Sequence, residues 1–109
     1  MPDAARPDDR LQKLTGMHAA DPSDPFCAYG IAQEHARAGR CAEAVAWYDR
    51  TIALDASYCY AYFHKARALE ELGRAEEARQ ALRDGIAAAR AAGDAHALSE
   101  LGGYLDQLS

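Results

Sequence analysis

The chain has 109 residues, half of them hydrophobic, with a net charge of −5 and a pI near 5.2. That length suits one domain with a modest core, and the acidic balance argues against nucleic acid or an anionic membrane as the main partner, because phosphate binding needs a basic face. Strand formers are scarce and Ala, Leu, Glu, Arg and Gln dominate, so the composition points to an all-α fold.

Residues 1–7 belong to the polar, acidic opening "MPDAARPDDR", which has no apolar stretch of a leader, and they read as a disordered tail. Residues 8–109 read as a single domain of six helices. The first is expected over 8–20, where Leu11, Leu14, Met17 and His18 share one face. Pro7 suits a first helical position, and Gly16 weakens this helix by about 1 kcal/mol relative to Ala. Further helices are expected over 25–38, 41–54, 58–72, 75–91 and 95–108. Gly39 and Gly73 end the second and fourth, where a left-handed conformation costs a glycine little. Gly93 and Asp94 supply the stop of the fifth helix and the N-cap of the sixth.

The stretch "SYCYAYFHKA" (57–66) alternates Tyr58, Tyr60 and Tyr62 with small residues, as a half-buried strand does. At about 100° per residue it is two overlaid helical faces. Tyr58 and Tyr62 join Ala66 and Leu69 toward a partner helix, while Tyr60, Phe63, His64 and Arg67 point elsewhere. Asp55 or Ser57 is the expected N-cap.

"HARAGRCAEAVAWYDRTIAL" (35–54) aligns without gaps on "LEELGRAEEARQALRDGIAA" (69–88). Gly39 falls on Gly73, Arg40 on Arg74, Glu43 on Glu77, Ala44 on Ala78 and Ile52 on Ile86, and Ala32 falls on Ala66, always at an offset of 34 residues. Small residues at Ala32, Ala44, Ala66 and Ala78 let paired helices approach, and Ile31, Tyr48, Leu69 and Leu82 fill the space between them. This period, with Ala44 and Tyr48, and Ala78 and Leu82, in the A-x3-F slots, resembles the tetratricopeptide repeat (TPR) family. In that frame Asp21-Pro22 closes an incomplete first repeat, and Leu98, Leu101, Gly102 and Leu105 mark a capping helix. The resemblance implies a right-handed superhelix of antiparallel helix pairs: a half repeat, two full repeats and a cap.

The resemblance further implies a non-catalytic adaptor or scaffold, with a peptide or protein segment in a concave groove lined by the first helix of each repeat. Residue by residue, that places Tyr29, Gln33, Ala36 and Arg37, then Tyr60, Phe63, His64, Arg67 and Glu70, on the groove, with Tyr104 joining from the cap. Aromatics with arginine make the composition of binding hot spots. Tyr29 and Phe63 fit equally as wedges between adjacent repeats. One TPR subclass holds C-terminal carboxylates with Lys and Asn. Here Tyr29 and Gln33 stand where Lys and Asn are wanted, and His64 stands in a later Asn slot. Such a ligand is therefore not expected, although Arg37 and Arg67 suit scattered acidic side chains. The alternative is a structural homodimer, joined through the groove or an end of the stack: Leu11, Leu14 and Met17, or Leu101, Leu105 and Leu108.

Chemistry-bearing motifs are missing from the sequence. Cys27, Cys41 and Cys59 form no CxxC pair and read as reduced thiols. His18, His35, His64 and His96 form no HxxxH or HxH, and His18 and His35 fall on core positions of the repeat, so no metal is expected. GxGxxG, P-loop and GxSxG patterns are also missing, so neither a cofactor nor an enzymatic activity is expected. No run reaches the ~18 apolar residues of a membrane span, and the chain reads as soluble and cytoplasmic.

Overall fold

The computed structural model describes residues 7–108. Apart from Pro7, which begins the first helix, the tail expected at the N-terminus lies outside the described residues. Six helices follow one another: α1 (Pro7–Ala20), α2 (Pro25–Arg37), α3 (Cys41–Leu54), α4 (Cys59–Glu71), α5 (Ala75–Ala92) and α6 (Ala95–Leu108). The described residues contain no strand. Each helix packs on its neighbours in sequence, and α4 also meets α6. The stack is elongated, 45 × 28 × 20 Å.

The repeat is visible in the turns. After α2, Gly39 stands at φ +82°; its N–H bonds Ala36 O at 3.0 Å, and Arg40 N–H bonds His35 O at 2.8 Å. After α4, Gly73 stands at φ +76°, and the equivalent bonds, Gly73 N–H to Glu70 O and Arg74 N–H to Leu69 O, are both 2.9 Å. These bonds satisfy carbonyls that the helix end leaves open.

The turns before α2 and α4 share another device. Asp21 Oδ1 accepts from the Ser23 hydroxyl at 2.7 Å, and Asp55 Oδ1 accepts from the Ser57 hydroxyl at 2.7 Å and from Ser57 N–H at 3.0 Å. Neither Asp55 nor Ser57 therefore caps α4, contrary to expectation. Their side chains bond each other in an Asx turn, and Tyr58 takes the N-cap position without a side-chain cap bond. Asp24 and Asp94 do cap, accepting from Phe26 N–H at 2.9 Å and Ala97 N–H at 3.0 Å.

Two clusters form the core. Ala32, Ala44, Tyr48, Ala61 and Ala68 make one; Tyr62, Ala66, Leu69, Ala78, Leu82 and Leu101 are among the residues of the other. Ala32, Ala44, Ala66 and Ala78 are all fully buried, as their size requires where helices touch. Tyr58 departs from its expected place: it packs against the first cluster, its ring tilted 37° to that of Tyr29 at 4.8 Å. It lies outside the helix, so the wheel does not fix its direction. Leu101 is also reassigned, from a sticky flank to the core, at 1% exposure. α1 closes the other end of the stack, with His18 edge-on to Trp47 of α3 at 5.1 Å. His35 is half-buried, its Nδ1 accepting from Arg40 Nε at 2.9 Å.

Candidate functional site

Two open clefts run along the side formed by α2, α4 and α6. One, about 470 Å³, lies between α2 and α4, with Gln33, Arg37, Tyr48, His64, Arg67 and Glu71 among its lining residues. The other, about 490 Å³, lies between α4 and α6, lined by Phe63, Arg67, Glu70, Glu100, Tyr104 and their neighbours. Arg67 borders both clefts and makes no hydrogen bond or ion pair among the described residues.

A line of rings backs the two clefts. Tyr29 of α2 lies 6.0 Å from His64 of α4, His64 lies 5.4 Å from Phe63, and Phe63 lies 5.1 Å from Tyr104 of α6. Tyr60 joins at 6.5 Å from Phe63. These spacings and tilted planes suit aromatic contact. Tyr29 and Phe63 thus do wedge between successive repeats, and Phe63 lines a cleft as well.

The polar groups are held by specific partners. The Tyr48 hydroxyl, on a fully buried ring, donates to Gln33 Oε1. Gln33 therefore uses its carbonyl on the protein and has its NH₂ left for the cleft. Burial, with Tyr29 adding to it, pushes the Tyr48 hydroxyl well up; burial and Tyr58 push Tyr29 up to about 12. His64 is lowered by burial and then by the Arg67 charge, which favours neutral imidazole. The Tyr104 hydroxyl donates to Glu70 Oε1 at 2.5 Å, and burial followed by that bond pushes it up. Tyr60 is raised by desolvation first and then by a hydrogen bond to Glu100.

Gln33, Ala36, Arg37, His64 and Arg67 thus meet at the first cleft, and Phe63, Arg67, Glu70 and Tyr104 at the second. Tyr29 sits among Tyr48, Tyr58 and His64. Sequence reasoning missed Glu34, which is 4% exposed and lies 3.3 Å from Arg37 and 3.8 Å from Arg10 of α1. Its signal was the i,i+3 spacing to Arg37. It also missed Glu100 and Gln107, which stand four residues before and three after Tyr104 and so share its face.

A family model described as Anaphase-promoting complex subunit 5 matches residues 32–108. No curated protein matches the sequence. Among solved structures, a tetratricopeptide repeat domain protein from Salinibacter ruber is 32% identical, covering 82% of this chain and 90% of its own, with a TM-score of 0.75. The first TPR of Spaghetti (RPAP3), bound to HSP90 peptide SRMEEVD, is 25% identical over 93% of this chain and 78% of its own, with a TM-score of 0.75. The Yersinia enterocolitica type III secretion chaperone SycD, in complex with a peptide of the translocator YopD, is 19% identical, covers 94% and 76%, and has a TM-score of 0.80. At that identity the likeness is one of fold.

Proposed function

This chain belongs to the tetratricopeptide repeat family, and from that premise we propose that it is a protein-interaction module holding a peptide segment of a partner in the groove of α2, α4 and α6. The observation that carries the reading is the line of rings from Tyr29 to Tyr104, with unpaired Arg67 between the two clefts. Rigid aromatic area lowers the ordering cost of binding, and a guanidinium without an internal partner is ready to bond a ligand's acceptors. Relatives in this fold carry peptides, one from HSP90 and one from YopD, which supports a peptide as the class of ligand.

The test is a partner captured from a lysate by the wild type, then titrated against Tyr60→Ala/Arg67→Glu. Both side chains are on the surface of α4 or only half-buried, so helical circular dichroism should be unchanged. Loss of affinity by tenfold or more supports the groove; equal affinity for the two proteins contradicts it.

A further inference from the structure

The two clefts differ in charge. The cleft between α2 and α4 offers hydrogen-bond donors from Arg37, Arg67 and the Gln33 amide, with Glu71 the one carboxylate on its wall. The cleft between α4 and α6 reverses this: Glu70 and Glu100 face it with Arg67 as the one cation. Phe63 and Tyr104, 5.1 Å apart, supply aromatic surface between those carboxylates. Glu70 is held in place by the Tyr104 hydroxyl at 2.5 Å, which occupies only one of its acceptor sites. Glu100, on the α6 side, has His96 as a neighbour at 3.6 Å and the Tyr60 hydroxyl as a second partner, and it remains exposed, with acceptor sites to spare.

Resting on the groove reading above, we propose that the α4–α6 cleft is a subsite for a cationic side chain, lysine or arginine, of the bound segment. The aliphatic stem of such a side chain lies along Phe63 and Tyr104 while its head reaches the two carboxylates. A stem on apolar surface and a head among acceptors is how long cationic side chains are accommodated, and a cation beside aromatic faces gains further attraction. An acidic side chain there would meet Glu70 and Glu100 as like charges, and a plain apolar one would leave their remaining acceptor sites to water. The α2–α4 cleft sets Arg37 and Arg67 against Glu71 and the Arg37-paired Glu34, so it offers a cation less than the α4–α6 cleft, where Glu70 and Glu100 face the single Arg67.

The experiment uses a randomised twelve-residue peptide library displayed on phage and selected on the full chain. Recovered peptides are titrated into wild type, Glu100→Lys and Glu100→Gln, with amide shifts recorded. The expected result is enrichment of Lys or Arg in the recovered peptides. Affinity should fall tenfold or more with Glu100→Lys and severalfold with Glu100→Gln, and replacing the peptide's cation by Ala should remove the difference between the proteins. Peptides that shift α4 and α6 amides but show no such enrichment, or bind Glu100→Lys as well as wild type, overturn the cation subsite and leave the groove standing. Peptides that leave α2, α4 and α6 unshifted, or no recovered peptide at all, overturn the groove reading and the subsite with it.

Discussion

The same substitution, glycine to alanine, should have opposite signs at two helical positions. Gly85 is buried in α5, and a Cβ placed there would lie 2.7 Å from Tyr62 Cβ, 3.1 Å from Tyr62 Cγ and 3.2 Å from Leu101 Cδ2. The first of these neighbours is fixed to the α4 backbone and cannot swing away, so the helices must separate. Overpacking of this kind costs about 1–3 kcal/mol, against a helix-propensity gain of about 0.5–1 kcal/mol. Gly85→Ala should therefore destabilise by about 1–2 kcal/mol. Gly16 in α1 has nothing within 4 Å of its added Cβ, so Gly16→Ala keeps the propensity gain alone, about 0.5–1 kcal/mol. Thermal and urea unfolding followed by circular dichroism measure both, at a scale of about 4 °C per kcal/mol. A Gly85→Ala protein as stable as wild type, or a pair shifting in the same direction, would refute the close-approach argument.

The repeat explains why glycine is there. At the offset of 34, Tyr62 corresponds to Ala28 and Gly85 to Thr51, both of them fully buried. Volume given to α4 in one repeat is given to α3 in the other. Tyr62→Ala alone should cost about 3–5 kcal/mol, and Gly85→Thr alone at least about 2 kcal/mol. The double variant should recover about 1–3 kcal/mol of their sum, whereas strict additivity in a double-mutant cycle would count against the exchange. Tyr48→Phe should lower stability by about 0.5–1.5 kcal/mol through loss of the bond to Gln33, read as a shift of the urea midpoint at constant slope; an unchanged midpoint would mean water replaces the hydroxyl without cost. His64 has its folded-state pKa lowered below the ordinary 6.5 by burial and Arg67. The unfolded chain then binds the proton more readily, so this contribution is complete above pH 6.5 and is lost as pH falls through the folded value. His64→Gln should flatten that part of the stability–pH curve, and superimposable curves would contradict it.

The fold was legible because four alanines, the paired glycines and the large inter-helix residues agree at one offset. Helix ends were legible wherever glycine was compulsory, as at Gly39, Gly73 and Gly93. The start of α4 was not: Asp55 and Ser57 each suit a cap, and propensity does not say that they bond each other first. On α2 and α4 the repeat frame anticipated the cleft-lining Gln33, Ala36, Arg37, Phe63, His64, Arg67 and Glu70, whereas Tyr29 and Tyr60, expected beside them, are not among the residues lining either cleft. On α6 the frame is weaker, so Tyr104 was anticipated while Glu100 and Gln107 were not. Buried Glu34 escaped because an isolated acid on a helix reads as surface until its arginine partners are placed in space.

The most direct measurement for the central claim is a backbone-amide NMR titration of the full chain with a captured or selected peptide. Shifts concentrated on α2, α4 and α6 and on the cleft-lining Cys41 and Tyr48 of α3, with Gln33, His64, Arg67 and Tyr104 moving together and α5 and the rest of α3 still, are what the groove reading predicts. Shifts confined to the outer surfaces of α3 and α5, with those four residues unmoved, would contradict it.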